Sequence, residues 1–216
     1  MTDKMVEQKM KIAYEHKIKV MTEKDPRSLK ITVTIEGENK ILMIEWRGRL
    51  GVIRKGIKIR RGVRIEIDNV RNEIIVKSEW GNKKKVKMWV GMVDGILESG
   101  RWGVIRGYKR GIRCVGIGYR IEDVRLINQR LPDGTIEGRY EVEMNVGTRG
   151  KERYSWEAEG IEIIKLDKTG LIVNGVDKEK VNRIASEIRK IRAPNKYKGD
   201  GIKYESEVLR SKRRGI

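Results

Sequence analysis

Residues 171–194, LIVNGVDKEKVNRIASEIRKIRAP, run a strand into a helix and then stop it. The run 171–174 has the length and β-branching of a short strand. Asp177 is a good N-cap, because its carboxylate can accept a hydrogen bond from an amide of the first helical turn. Behind it Val181, Ile184, Ala185, Ile188 and Ile191 recur at three- and four-residue steps, the stripe by which a helix buries one side. Pro194 has no amide to donate and crowds the preceding turn, so it ends the helix. Upstream, strands are expected at 140–146, 153–157 and 161–166, and a period-two segment starts at Ile112 and continues through Cys114, Val115, Ile117 and Tyr119. Leu131, Pro132, Asp133 and Gly134 form a turn among them.

The first half has the same order. Ile31, Val33 and Ile35 alternate with Lys30, Thr32 and Thr34, the pattern of a strand with one buried face. Turn residues follow at 36–39, and strands are expected at 41–46, 51–59, 63–67 and 74–77. Then Val86, Trp89, Val90, Val93, Ile96 and Leu97 mark one side of a helix, which Gly100 is expected to end before a connector, RWGVIRGYKRG. The fold class that results is α+β: two tandem similar domains, each a small mostly antiparallel sheet covered by one main helix, with a basic C-terminal tail. The expected boundaries are 1–28 for a partly helical N-terminal extension interrupted by Asp25, Pro26 and Arg27, 29–110 and 111–193 for the two domains, and 194–216 for the tail. The duplication rests on element order, since no residue-level repeat is visible.

Charge says what the chain meets. Its 216 residues carry 50 Lys and Arg against 31 Asp and Glu, a formal charge of +19, and such an excess on a globular body points to a polyanion, most often nucleic acid. A membrane is a poor fit: no apolar run approaches the roughly 20 residues that cross a bilayer. Eight cations, Arg47, Arg49, Arg54, Lys55, Lys58, Arg60, Arg61 and Arg64, lie within 47–64 with no acid among them. They are expected to put a field of one sign on one face of a sheet. Lys83, Lys84, Lys85 and Lys87 crowd the start of the first helix, against its dipole, which favours a nearby phosphate.

The tail carries the sharpest binding signal. Residues 193–204, APNKYKGDGIKY, set Lys196, Lys198 and Lys203 among Tyr197, Tyr204, Gly199 and Gly201. Glycine lets backbone approach a phosphate chain closely, lysine neutralises it, and tyrosine packs on sugars or bases. Arg189, Lys190 and Arg192 lead from the helix toward this segment, and Arg210, Lys212, Arg213 and Arg214 extend it as an arm that orders once its charges are neutralised. Most contacts should go to phosphate, sugar and shape. Removing the residues after Ala193 is expected to weaken RNA binding far more than it destabilises the domains.

Chemistry of other kinds finds little footing. Cys114 and His16 are the sole residues of their types, so neither an internal disulfide nor a Cys/His zinc cluster can form. Gly116 and Gly118 lack the third glycine and the helix of a dinucleotide fingerprint, and no P-loop is present. The carboxylate pairs Glu157 with Glu159 and Glu141 with Glu143 share strand faces, but no nucleophile or histidine stands beside them. No catalytic residue, metal or cofactor is expected. Acids at Asp3, Glu7 and Glu15 are unlike a transit or signal peptide. Phe is absent and Pro occurs 3 times while Lys, Glu and Gly abound, a codon bias of strand-asymmetric genes, so an organelle-encoded, mitochondrial protein is the expectation, with a plastid or bacterial-type cytoplasm as alternatives.

Several stretches match one family as a set: Met92, Val93, Asp94, Gly95 and Ile96 in the first helix; VGIGYR at 115–120; Asn174, Gly175, Val176, Asp177 and Lys178 at the second helix entry; Ala185, Glu187, Ile188 and Arg189 within it; and the run 193–204. Across about residues 30–210 they resemble the bacterial-type large-ribosomal-subunit protein L6 (uL6) family. The resemblance implies a structural, non-catalytic protein bound to large-subunit ribosomal RNA near the sarcin-ricin loop and stalk base, with neighbouring ribosomal proteins as partners, translation factors as transient ones, and neither DNA nor membrane. The chain departs from the family where Lys196 replaces a usual Pro and Asp200 a usual Lys, and in longer connections at 97–114 and 129–139. A free-standing RNA-binding module or RNA chaperone would use the same basic faces but should wash off large subunits in high salt. An RNA-processing enzyme would need an acid cluster or a His beside glycines.

Overall fold

The computed structural model describes residues 14–20, 29–36, 41–59, 63–68, 71, 73–78, 83–130, 136–147 and 150–209. The chain forms two compact units, Met1–Ile105 and Arg106–Ile216. In the first lie β1 (Tyr14–Lys19), β2 (Lys30–Glu36), β3 (Ile41–Gly48), β4 (Gly51–Lys58), β5 (Val63–Asp68), β6 (Glu73–Ser78) and α1 (Lys83–Arg106). They make two three-stranded antiparallel sheets, in the orders β2-β3-β4 and β1-β6-β5. Alternation sets the core: Leu42, Ile44 and Trp46 on β3 and Ile53 and Ile57 on β4 are buried, as period-two spacing requires of one sheet face.

Three expectations change here. Residues 14–19, expected within a partly helical extension, are a strand against β6, with Ile18 and Val20 buried. Apolar spacing of two, together with a waiting strand edge, outweighs the mixed local sequence. The cations of 47–64 do not share one face of one sign. Arg54 Nε and Arg47 Nη2 donate to Glu45 on β3 at 2.7 and 2.9 Å, Lys55 shares the face of the buried Ile53 and Ile57, and Arg64 lies in the other sheet. Arg60 and Arg61 lie outside the described residues. Finally, α1 does not end at Gly100. That glycine is buried against the Trp46 indole, which a Cβ would overlap, so the missing side chain serves packing. The helix runs to Arg106 and is followed by Gly107 at φ 73°, the left-handed residue that commonly closes a helix.

The second unit contains β7 (Tyr108–Val115), β8 (Arg120–Arg130), β9 (Ile136–Asn145), β10 (Lys151–Glu157), β11 (Ile161–Lys165), β12 (Gly170–Gly175), α2 (Lys178–Ile191) and β13 (Gly201–Tyr204). One antiparallel sheet has the order β10-β9-β8 and the other β11-β12-β7-β13. Val181, Ile184, Ala185 and Ile188 of α2 close a core with Ile112, Cys114, Val142, Met144, Leu171, Val173 and Ile202. Asp177 caps α2 as expected, its Oδ1 accepting the Glu179 amide at 2.9 Å. The run read as one strand from Ile112 through Tyr119 breaks after Val115: Gly116 and Gly118 take φ 143° and 78° in a turn, which buries Tyr119 and leaves Ile117 fully exposed. The connection 129–139 is longer because β8 and β9 extend as a hairpin, paired out to Arg130 and Ile136; the turn expected at 131–134 lies outside the described residues.

The tail segment is partly core. Gly201–Tyr204 pairs with β7, and Ile202 is fully buried opposite Cys114. Cutting the chain after Ala193 would therefore remove a sheet strand as well as the lysines, and would cost the fold of the second unit along with any RNA contact. The expected selective effect of that cut does not survive the structure.

Candidate nucleic-acid interface

The loop between α2 and β13 is closed on Asn195. Its Oδ1 accepts the amides of Tyr197 at 2.8 Å and Lys198 at 3.4 Å, its carbonyl accepts the Gly199 amide at 2.8 Å, and its own amide donates to Asp200 O at 2.8 Å. At the neck, Ile202 N donates to Arg192 O at 2.8 Å. These bonds push Lys196, Tyr197 and Lys198 outward as an exposed tip, with Tyr197 59% exposed. Gly199 turns at φ 77° in open space, whereas Gly201, at φ 133°, passes so close to Pro194 that a Cβ would lie 2.6 Å from its Cα.

Beyond β13 the chain is clasped. Arg189 Nε and Nη2 donate to the Glu207 carboxylate at 2.9 and 2.6 Å, and the Tyr204 ring lies under two guanidiniums, Arg110 at 4.4 Å and Arg189 at 5.5 Å. The hydrogen bond from Arg189 holds the Glu207 carboxyl below its ordinary range. Arg189 and Tyr204, expected to touch RNA, are thus engaged with each other and with Glu207. Lys190 is exposed on α2, and the exposed Arg192 donates from Nε to Tyr119 Oη at 3.3 Å.

Two cations that the sequence reading passed over, Lys109 in the connector and Arg113 in the strand after it, stand beside these. Lys203 on β13 is directly opposite Arg113 on β7, and Lys109 follows on the same outer face. Like charges directly opposite across strands repel; Asp167 is 4.0 Å from Arg113, Glu205 lies over Gly111 between Lys109 and Arg113, and Glu207 feels the charge of Lys203, so acids temper this face in part. The alternation of Lys109 and Arg113 with the buried Ile112 and Cys114 is the signal that could have found them. The turn tip Ile117 lies at the same end of the sheet, next to the Val115 and Gly201 pair. Behind the loop is a cleft lined by Ile191, Arg192, Ala193, Asn195 and Asp200.

The other sheet of this unit is electrically different. On its outer face Glu141 is opposite Arg125, Glu143 opposite Arg153, and Glu157 opposite Arg139, while Glu159 accepts from Lys180 at 2.8 Å. The carboxylate pairs noted in the sequence are therefore matched with cations. Burial pushes the Cys114 thiol up to about 11. Among the described residues no group of three or more His, Cys, Asp or Glu could hold a metal, and no helix is long and apolar enough to cross a membrane.

Of the remaining expected binders, Lys84 is exposed in the first turn of α1, which contains no acid; Lys83 and Lys85 share that turn. Arg210, Lys212, Arg213 and Arg214 lie outside the described residues.

Comparison with known proteins is consistent along the chain. The family described as Ribosomal protein L6 matches residues 135–205. The large ribosomal subunit protein uL6 of Thermoanaerobacter sp. (strain X514) is 32% identical over 187 residues, covering 87% of this chain and 90% of that protein. That of Syntrophus aciditrophicus (strain SB) is 32% identical over 191 residues, 88% of this chain and 93% of that protein. The uL6 of Thermotoga petrophila is 35% identical over 141 residues, 65% of this chain and 67% of that protein.

Proposed function

This chain belongs to the bacterial-type ribosomal protein L6 (uL6) family and is a structural protein of the large ribosomal subunit; from that premise we propose that its second unit grips large-subunit ribosomal RNA through the edge formed by the tail loop and β13. The observation that carries this reading is the pair of exposed loop lysines, Lys196 and Lys198, together with Lys203 on the edge strand and Arg113 and Lys109 on the same outer face of its neighbour, on a unit whose other sheet sets acids opposite its cations. Repulsion between Lys203 and Arg113 is relieved when phosphate oxygens stand over both. The loop amides of Tyr197, Lys198 and Gly199 are already donated to Asn195, so the lysine side chains make the phosphate contacts and Tyr197 packs on a sugar or base. Gly199 and Gly201 hold the loop's shape. Lys190 and Arg192 continue the edge, the arm with Arg210, Lys212, Arg213 and Arg214 extends it, and Lys83, Lys84 and Lys85 form a second contact from the first unit.

In this reading the protein acts without a catalytic step or cofactor. It braces RNA near the sarcin-ricin loop and stalk base, beside other ribosomal proteins, where translation factors land transiently. The Phe-free, Pro-poor composition supports a mitochondrial gene, which strand asymmetry in its nucleotide sequence would test. For binding, the test is the salt dependence of affinity for protein-free large-subunit ribosomal RNA. Replacing Lys196 and Lys198 together by Ala should flatten the slope of log K against log salt by about two, one per lost phosphate contact. An unchanged slope and affinity would remove this edge from the interface.

A further inference from the structure

Within the RNA-binding reading, on which this inference rests, we propose that Asp200 is a specificity residue: its carboxylate accepts a hydrogen bond from an N–H or O–H donor of a nucleotide seated in the cleft behind the tail loop. Oδ1 of Asp200 is buried and accepts no hydrogen bond, a costly state that needs a reason. Its backbone is fixed, because its carbonyl holds the Asn195 amide at 2.8 Å and the next residue, Gly201, is pressed against Pro194, so a rotation about χ1 is the one movement that brings the carboxylate of this partly buried residue to a donor in the cleft. Asn195 Oδ1, the other side-chain acceptor among the residues lining the cleft, is already occupied by the amides of Tyr197 and Lys198. Asp200 is therefore the side-chain acceptor left over, in a cleft that Arg192 and Asn195 also line.

The charge of the surroundings narrows the ligand. Lys196 and Lys198 at the exposed tip draw a phosphate backbone to this edge, but a phosphate itself is repelled by a carboxylate. What meets Asp200 must be a neutral donor carried on the same strand, a ribose 2′-hydroxyl or a base N–H, and contacts of that kind discriminate among nucleic acids where phosphate contacts do not. A lone metal ion fits less well, since no group of three or more His, Cys, Asp or Glu gathers among the described residues.

The sign of one substitution tests the idea. If Asp200 merely tolerates RNA, removing its charge raises affinity; if it accepts a bond, affinity falls. With the full chain and protein-free large-subunit ribosomal RNA, Asp200→Ala should weaken binding about tenfold, with the salt slope unchanged. Asp200→Asn, which keeps an amide oxygen as acceptor, should lose less. Chemical probing gives the source of the donor: in the Ala variant one nucleotide loses protection either from 2′-hydroxyl acylation or from kethoxal at guanine N1 and N2, while the rest of the footprint stays. Equal or tighter binding by both variants overturns the inference, as does a loss seen only when Mg²⁺ is present, which would assign a cation to the cleft. Failure of the wild-type chain to bind RNA in a salt-dependent way would instead overturn the reading beneath it.

Discussion

Arg189 holds Glu207 by two parallel hydrogen bonds, 2.9 and 2.6 Å long, across 18 residues of chain. The pair ties the last part of α2 to the segment after β13, and the Tyr204 amide adds a third bond to the same carboxylate at 3.2 Å. Side-chain exposures of 30% and 22% shield it from much of the screening that weakens surface pairs, and its two-pronged geometry is the strong form of the interaction. Replacing Glu207 by Ala is expected to loosen β13 by about 1–1.5 kcal/mol, read as a roughly tenfold loss of hydrogen-exchange protection at Ile202 and Tyr204. Unaltered exchange at those amides would mean that the strand is held by its sheet bonds and by Ile202 alone.

The same clasp should respond to acid. Glu207 has a folded-state pKa below its ordinary value of 4.5, chiefly through the Arg189 hydrogen bond. A depressed carboxylate contributes stability that is complete above the unfolded value and disappears as pH falls through the folded one. The clasp is therefore fully formed at neutral pH and should open only below about pH 4.5. Chemical shifts of Glu207 and of the Tyr204 amide, followed through an acid titration, should move together with a midpoint under that value; a midpoint at or above it would contradict the assignment.

Glycines within α1 should answer alanine in opposite senses. Gly91 and Gly95 have nothing within 4 Å of an added Cβ, so Gly→Ala there should stabilise the helix by up to about 1 kcal/mol each. Gly100→Ala forces a methyl into the Trp46 indole and should destabilise by about 1–3 kcal/mol despite the better helix propensity. Thermal unfolding of the three variants orders them directly. A stabilising Gly100→Ala would show that the indole can move aside.

Cys114 should be chemically silent while the second unit is folded. It is buried, its thiol is raised to about 11, and the thiolate is the reactive form. Alkylation by iodoacetamide at pH 8 should proceed at the rate at which the unit opens, and should accelerate sharply in denaturant. Immediate reaction of the native protein would place the thiol at the surface.

Local signals and tertiary ones divide what could be read from residues alone. The second helix was legible from end to end because its cap Asp177, its apolar stripe and its stop Pro194 are all short-range. Gly100 misled because a glycine in a helical pattern looks the same whether the helix ends or an indole packs there, and the partner Trp46 comes from β3. Strand β1 was missed because Ile18 and Val20 sit amid charges and their partner strand is β6. In the site, the lysines of the loop were visible as a cluster, but Lys109 was not, because β7 was read as a connector up to Gly111, and Arg113 was not, because its pairing with Lys203 comes from a strand nearly ninety residues on. Nor did spacing reveal that Arg189 and Tyr204 face inward, since that depends on Glu207 folding back.

Among the described residues the edge strand β13 comes last in chain order. Until residues 201–204 emerge, β7 offers an open row of amides and carbonyls and Ile202 is missing from beneath α2, the kind of bare margin to which other chains attach. The second unit can complete itself only once β13 has docked on β7. A partly folded copy is therefore most vulnerable to aggregation before that strand docks, and a chaperone that covers β7 until then would protect it most.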